Sequence, residues 1–313
     1  MTSRYDVAVV GGGPAGLCAA LFLGRYLHKV VVIDSGDPRN WETRGINGYL
    51  GHQGIRSPEL RALAREECAS FGVEFVSGVV DEAINETGEL FAARLHDGTI
   101  IEARRILLAI GIKDFWPDIP GLERCYGETV HVCPDCDGYE TFDKKTVVVG
   151  TGRKAVGMAL ALTTWTREIV ICTNGEKPDM EQKLLDQLKA LNIPVLDQPI
   201  KCVVSKAKEI SGIELEGAMS LDCERLYFAI GQYPADDLGA QLGCKRDEMG
   251  RLVIDERNHT SVVNVYAAGD IAPGPQLAIV AAASGAVASI AIHASLIPEA
   301  TKLPTEGGNT NGN

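Results

Sequence analysis

A run of β-branched residues that stops on a glycine-rich turn occurs twice in this chain, and no other feature constrains the fold as strongly. Residues 5–16 read Tyr-Asp-Val-Ala-Val-Val-Gly-Gly-Gly-Pro-Ala-Gly, and residues 146–157 read Thr-Val-Val-Val-Gly-Thr-Gly-Arg-Lys-Ala-Val-Gly. Each predicts a buried strand, a tight turn and a helix. A second echo follows, as Ile-Leu-Leu-Ala-Ile-Gly at 106–111 returns as Leu-Tyr-Phe-Ala-Ile-Gly at 226–231. Two related units explain these repeats more simply than one large domain, and a length of 313 residues suits two. The expected fold class is α/β, with two Rossmann-like, three-layer dinucleotide-binding domains. Pro117, Pro120 and Gly121, and later Pro234, mark hinges. They divide the chain into a discontinuous first domain over 1–116 and 240–313 and a second domain inserted at 117–239.

The first loop is the stronger of the two. Gly11, Gly13 and Gly16 fit G-x-G-x-x-G, with Pro14 and Ala15 opening the helix, which is expected over Leu17 to Tyr26. The first glycine permits the turn, the second lets backbone approach a pyrophosphate, and the third packs helix on strand. The helix N-terminus offers unpaired N–H groups and a positive dipole end. Val30 to Ile33 is wholly apolar, as a strand covered on both faces requires. Asp34 closes that strand, 18 residues after Gly16, where a ribose diol is held. Ser57 as N-cap and Pro58 at the first helical position start a helix that turns Cys68 inward. The tail from Pro304 is rich in Gly, Asn and Thr, a composition expected to be disordered.

Composition narrows the partners. The chain has 42 acidic and 30 basic residues, a net charge of -12, which argues against a nucleic-acid polyanion. The apolar stretch from Leu277 to Ile297 has 21 residues, near the length of a membrane span. It is mostly Ala, Ser and Gly, so a buried helix is the better reading and no membrane partner is expected. The apolar run at the N-terminus is too short for a signal peptide, so a cytoplasmic location is expected. Nine cysteines are too dilute for a disulfide scaffold.

Two of the nine stand apart in Cys133-Pro-Asp-Cys136-Asp-Gly. A C-x-x-C turn brings two sulfurs within bonding reach. Asp135 and Asp137 act on these thiols as like charges, and Asp137 is a candidate proton shuttle. A zinc site with His131 as a third ligand lacks a second C-x-x-C or an H-x₃₋₅-H, so no metal is expected. His131 reads more simply as a buried structural histidine than as a group tuning the thiols. Cys18, Cys68, Cys202 and Cys223 read as core residues, Cys125 and Cys244 as exposed, and Cys172 as a thiol beside the second loop.

Toward the C-terminus the chain resembles a known family. Ala267-Ala268-Gly269-Asp270 is similar to the second FAD fingerprint of flavoprotein disulfide reductases with two dinucleotide domains. Pro275-Gln276-Leu277-Ala278 then opens a long helix, and Ala109-Ile110-Gly111 looks like the family's Ala-Thr-Gly strand. The cysteine segment resembles the Cys-x-x-Cys-Asp-Gly site of low-molecular-weight thioredoxin reductases, and the likeness runs from Asp6 to about Leu296. It implies FAD bound by the discontinuous domain, with Asp270 on the ribityl and phosphate region. Gln276, Leu277 and Ala278 would lie at the flavin ring, where a helix N-terminus favours negative charge. It further implies that Cys136 faces the flavin, that Cys133 exchanges with an external disulfide or dithiol, that Asp137 is the acid/base, and that the chain is a homodimer. The partner implied is a thioredoxin-like protein or a small dithiol or disulfide.

The second loop departs from that family. Gly150, Gly152 and Ala155 fit G-x-G-x-x-A, with Arg153 and Lys154 inside the loop. The next strand ends Ile171-Cys172-Thr173-Asn174-Gly175, without the arginines that hold an NADPH 2′-phosphate or the acid that holds an NADH ribose. The function expected is FAD-dependent dithiol/disulfide exchange without a standard NADPH site. Electrons then come from NAD(P)H by other contacts, from a ferredoxin or flavin carrier, or from a second flavin nucleotide. They also fit the reverse flow, in which a dithiol is oxidised and oxygen reduced, as in some relatives from natural-product pathways. The alternatives are an ordinary NAD(P)H-dependent thioredoxin reductase and a non-catalytic flavoprotein redox sensor.

Overall fold

The computed structural model describes residues 4–39 and 44–302; the tail from Pro304 lies outside them. The first sheet holds β1 (Arg4–Val10), β2 (Val30–Asp34), β3 (Glu74–Ser77), β4 (Val80–Asn85), β5 (Phe91–Leu95) and β6 (Ile100–Leu108). They run in the order β3-β2-β1-β6-β5-β4. The first four are parallel, while β4, β5 and β6 form an antiparallel meander. A late strand, numbered β17 (Val265–Ala267), joins β6 in parallel and returns the end of the chain to this sheet.

The apolar composition of β1 and β2 follows from cover on both faces. Val7, Val9, Val30 and Val32 face a helical layer built from α1 (Pro14–Arg25) and α8 (Ala278–Leu296). Ala8, Val10, Val31 and Ile33 face the meander and the late segment carrying Leu238, Leu252 and Ile271. The helical layer also includes α2 (Ser57–Ser70), which joins it through Cys68; its N-cap is Arg56, so Ser57 sits one position inside the helix. The long apolar stretch becomes α8, which lays Gly285 against the backbone of Ala15 on α1. Its small residues are therefore a close helix contact.

The second sheet repeats the design. β8 (Val130–His131), β9 (Thr146–Val149), β10 (Ile169–Cys172), β11 (Val195–Leu196) and β15 (Arg225–Phe228) are all parallel, in the order β11-β10-β9-β15-β8. Val148 packs toward α5 (Gly152–Leu162) and α6 (Gln182–Ala190). Val147 and Val149 pack toward an antiparallel meander of β12 (Ile200–Lys206), β13 (Glu209–Leu215) and β14 (Met219–Asp222). Two short helices, α3 (Leu122–Cys125) and α4 (Pro134–Asp137), flank β8. The two crossings between the sheets, β7 (Ile112–Asp114) and β16 (Gln232–Pro234), pair antiparallel as one ribbon.

Beyond the ribbon, Asp236 accepts from the Leu238 N–H at 2.9 Å and starts α7 (Leu238–Gln241). Burial, with the neighbouring Asp237 adding to it, pushes the Asp236 carboxyl up to about 6. A carboxyl raised in the folded state supports folding below its unfolded pKa, near 3.9, and that support is lost as pH rises through 6. Asp236→Asn keeps the acceptor and removes the charge. It is expected to stabilise the protein by about 1–2 kcal/mol at neutral pH, with the gain vanishing near pH 4. Melting curves of both proteins across that range measure this.

Candidate active site

The first glycine loop is shaped by what a side chain would strike. At Gly11, with φ of +109°, a Cβ would meet the Ala109 carbonyl, and at Gly16 it would meet the Gly11 carbonyl. Gly12 lies against the Asp34 carboxylate, whereas Gly13 faces open space. Gly13 is the N-cap of α1, Pro14 follows, and the first turn carries no acid. The helix therefore presents free N–H groups and uncancelled dipole charge to whatever lies before it. At Gly269, with φ of +79°, an added Cβ would meet the Ala15 methyl. Asp34 is already engaged: Arg61 donates to it at 2.5 Å and to the Gly12 carbonyl at 3.1 Å, and Arg65 lies at 3.4 Å.

A cleft of about 1430 Å³, its open mouth included, is lined by both this loop and the cysteine pair. Its walls hold Gly11, Gly13, Pro14, Ala15, Asp34, Gly111, Gly269, Asp270, Gln276, Leu277 and Ala278, together with Cys133, Cys136 and Asp137. Gly16 alone of the expected first-site residues lies behind the wall, packed on Gly11. A dinucleotide fits this shape: a phosphate-accepting helix end beside Gly13, an acid at the end of β2, and a second helix start at Ala278.

The middle of the cleft is held by a polar network. Arg39 grips Asp114 with two bonds of 2.7 and 2.8 Å and donates to Gln276 at 2.9 Å and Asp270 at 3.2 Å. Gln232 joins Asp114 at 3.0 Å and Gln276 at 2.9 Å. Burial pushes the Asp270 carboxyl up while Arg39 opposes the rise. For Arg39 itself, burial favours proton loss, but its bonds to Asp114 and the field of Asp114 and Asp270 raise its pKa overall. The two crossing strands are thereby tied to the Asp270 and Gln276 wall.

Cys133 and Cys136 form a disulfide across the single turn of α4. Cys133 is the N-cap, Pro134 follows it, and the Cys133 sulfur accepts the Cys136 N–H at 3.1 Å. That donor favours a thiolate on Cys133 once the bond opens. Asp137 ends the turn. Tyr227 donates to its carbonyl at 2.9 Å, and Asn47 donates to the Cys136 carbonyl at 3.1 Å.

The second loop keeps the backbone design, with Gly150 at φ of +148° facing the Ala229 carbonyl and Ala155 packed in the core. Its Thr151 and Arg153 side chains are used within the chain. The Asp179 N–H donates to Thr151 at 3.2 Å, which lays the 176–181 segment beside Gly152. Arg153 pairs with Glu181 at 2.9 Å, and Lys183 pairs with the same acid at 2.7 Å. At the end of β10, Thr173 donates to the Glu176 carbonyl and Asn174 accepts the Ile200 N–H at 2.7 Å. Lys154 lies near Gly231 and the Phe115 ring.

Four cysteine expectations change: Cys18 and Cys202, expected in the core, are only half-buried, and the two expected to be exposed are enclosed. Cys125 and Cys244 are buried, because the second core closes over the first and Leu252 with its neighbours covers the other. Cys172 is fully buried in the second core, and burial pushes its thiol up to about 12, so it is inert rather than reactive. Sequence reasoning missed Gly12, Arg39, Asn47, Arg61, Asp114 and Gln232. Only Gly12, flanked by two expected glycines, carried a local signal.

The family model for pyridine nucleotide-disulphide oxidoreductase matches residues 5–285. The chain belongs to that family. Within this oxidoreductase family it is similar to a thioredoxin reductase of Listeria monocytogenes, 28% identical over 85% of this chain and 86% of the relative. The crystal structure of HlmI is 32% identical, covers 95% of this chain and 94% of its own, and superposes with a TM-score of 0.89. A thioredoxin reductase of Streptococcus pyogenes is 25% identical, covers 95% and 99%, and reaches 0.88. The chain is thus a flavin-dependent disulfide oxidoreductase of the low-molecular-weight, thioredoxin reductase-like class, and FAD is its cofactor.

Proposed function

We propose that this enzyme passes electron pairs between bound FAD and the Cys133–Cys136 pair, and from the pair to an external disulfide or dithiol, without a standard NADPH site. The observation that carries the reading is the shared cleft: the glycine loop and both cysteines line the same cavity. Gly11, Gly13, Pro14, Ala15, Gly16 and Asp34 hold the cofactor's adenosine and phosphate portion. Gly111, Gly269, Asp270, Gln276, Leu277 and Ala278 hold the rest. When bound, the flavin supplies two-electron redox chemistry next to a sulfur. Cys133 takes the exchanging role, because the Cys136 N–H stabilises its thiolate, and Asp137 is the proton acceptor beside the pair. The partner class is a thioredoxin-like protein or a small dithiol. The division into 1–116 with 240–313 and an inserted 117–239 follows the two sheets and the ribbon between them. A homodimer in the cytoplasm, where free thiols persist, completes the proposal.

The absence of a standard NADPH site is supported by the second loop. A 2′-phosphate needs unpaired cations, and Arg153 and Lys183 already neutralise Glu181. Fluorescence titration of the FAD-loaded protein with NADPH and NADH tests this. No saturation is expected below about 1 mM, a binding energy weaker than about 4 kcal/mol. Saturation in the micromolar range would overturn the proposal for this loop.

A further inference from the structure

We propose that His131 and Asn47 are positioning residues for the Asp137 carboxylate, one at each oxygen, so that this carboxylate takes the proton of the adjacent thiol. The inference rests on the dithiol reading above. Asp137 Oδ2 lies 3.4 Å from His131 Nδ1, and its Oδ1 lies 3.5 Å from Asn47 Nδ2. The two groups come from distant parts of the chain: His131 ends β8, and Asn47 stands in the loop between β2 and α2. Asn47 is itself steadied by Gln53, which donates to its carbonyl at 3.0 Å.

His131 is 4% exposed, with its ring 5.3 Å from Tyr227 in the neighbouring strand. Its Nε2 is buried and has no hydrogen-bond partner among the described residues. Burying an unpaired N–H is less favourable than burying an unpaired acceptor, so the ring proton belongs on Nδ1, facing Asp137. A histidine kept only for packing gains nothing from leaving one ring nitrogen unpaired while turning the other to a carboxylate. The remaining ionisable groups around Asp137 are the two thiols, Asp135 on the same turn, Tyr126 and Tyr227. Burial raises both phenols, Tyr126 to about 12 and Tyr227 further, so they stay neutral there. Arg225 and Glu140 bear on Tyr227 as well.

The step served is thiol–disulfide exchange. The Cys133 S–H bond breaks and its proton goes to Asp137. The Cys133 thiolate attacks one sulfur of the external disulfide, whose S–S bond breaks and releases one thiolate. Cys136, deprotonated in turn, attacks the Cys133 sulfur, re-forms the internal disulfide and releases the second thiolate. The pair loses two electrons, the external disulfide gains them, and both protons end on the released thiols.

The test starts from FAD-loaded protein whose pair has been reduced with dithiothreitol and freed of reagent without oxygen. It is mixed with oxidised glutathione and quenched with iodoacetamide, and the remaining thiols are counted by mass across a pH series. For His131→Phe, which keeps ring shape without a donor, the acid limb is expected about one pH unit higher, giving about a tenfold slower rate on that limb. His131→Asn, which restores a donor, is expected within about threefold of wild type, and Asn47→Ala is expected to repeat the shift. Melting curves check the folding of each variant, and Asn47→Ala tests the proposal if His131→Phe does not fold. A variant profile superimposed on wild type overturns the positioning role. Failure of the wild-type pair to exchange at all would instead overturn the functional reading beneath it.

Discussion

Cys136→Ser is expected to leave the bound flavin oxidised when dithiothreitol is added, with a rate at least about 10³-fold below wild type. Among the described residues, the Cys133–Cys136 disulfide is the one redox group that lines the cofactor's cleft. Serine keeps the side-chain shape and the turn, including the Cys136 backbone donor, but no longer accepts or yields an S–S bond. Three of the free cysteines are ruled out as substitutes by burial. Cys68, Cys172 and Cys223 are buried with thiols pushed up to about 12, which suppresses the attacking thiolate. Cofactor content is expected to be unchanged, since the glycine loop and Asp270 lie apart from this turn. Stopped-flow absorbance of the anaerobic protein measures the rate. A rate within tenfold of wild type would remove the pair from the electron path.

Gly12→Val is expected to give protein purified without flavin colour, with FAD affinity reduced at least about 100-fold, near 2.7 kcal/mol. The added side chain would occupy the position of the Asp34 carboxylate, which Arg61 fixes while also holding the Gly12 carbonyl. Asp34 must then leave its place at the end of β2, and the loop must shift away from the start of α1. Both changes act on the surface that receives the cofactor, so the loss exceeds that of an ordinary surface substitution. Absorbance of the purified variant and calorimetric titration with FAD measure the effect. Full flavin content would show that the cofactor does not approach this loop.

Much of the fold is legible because its signals are local. The strands β1, β2 and β9 are apolar on both faces because both faces are covered, and each glycine turn stands next to its strand in sequence. The cysteine pair is legible for the same reason, since three residues separate the partners. What local pattern does not reveal is assembled across the chain. Arg39, Asp114, Gln232, Asp270 and Gln276 meet only because the crossing ribbon runs beside the cleft. Asn47, from the loop before α2, and His131, at the end of β8, converge on Asp137 from distant parts of the chain. Cys125 and Cys244 read as exposed from irregular surroundings, yet the packing of distant strands buries them. The departure at the second loop was visible as missing arginines, whereas the engagement of Arg153 by Glu181 was not, because the acid lies 28 positions away.

Anaerobic mixing of the FAD-loaded protein with dithiothreitol, NADPH and NADH in parallel, followed by the flavin's visible absorbance, tests the central claim most directly. The expected result is bleaching by dithiothreitol, its loss in Cys136→Ser, and no bleaching by either nicotinamide. Rapid bleaching by NADPH, with dithiothreitol inert, would contradict it.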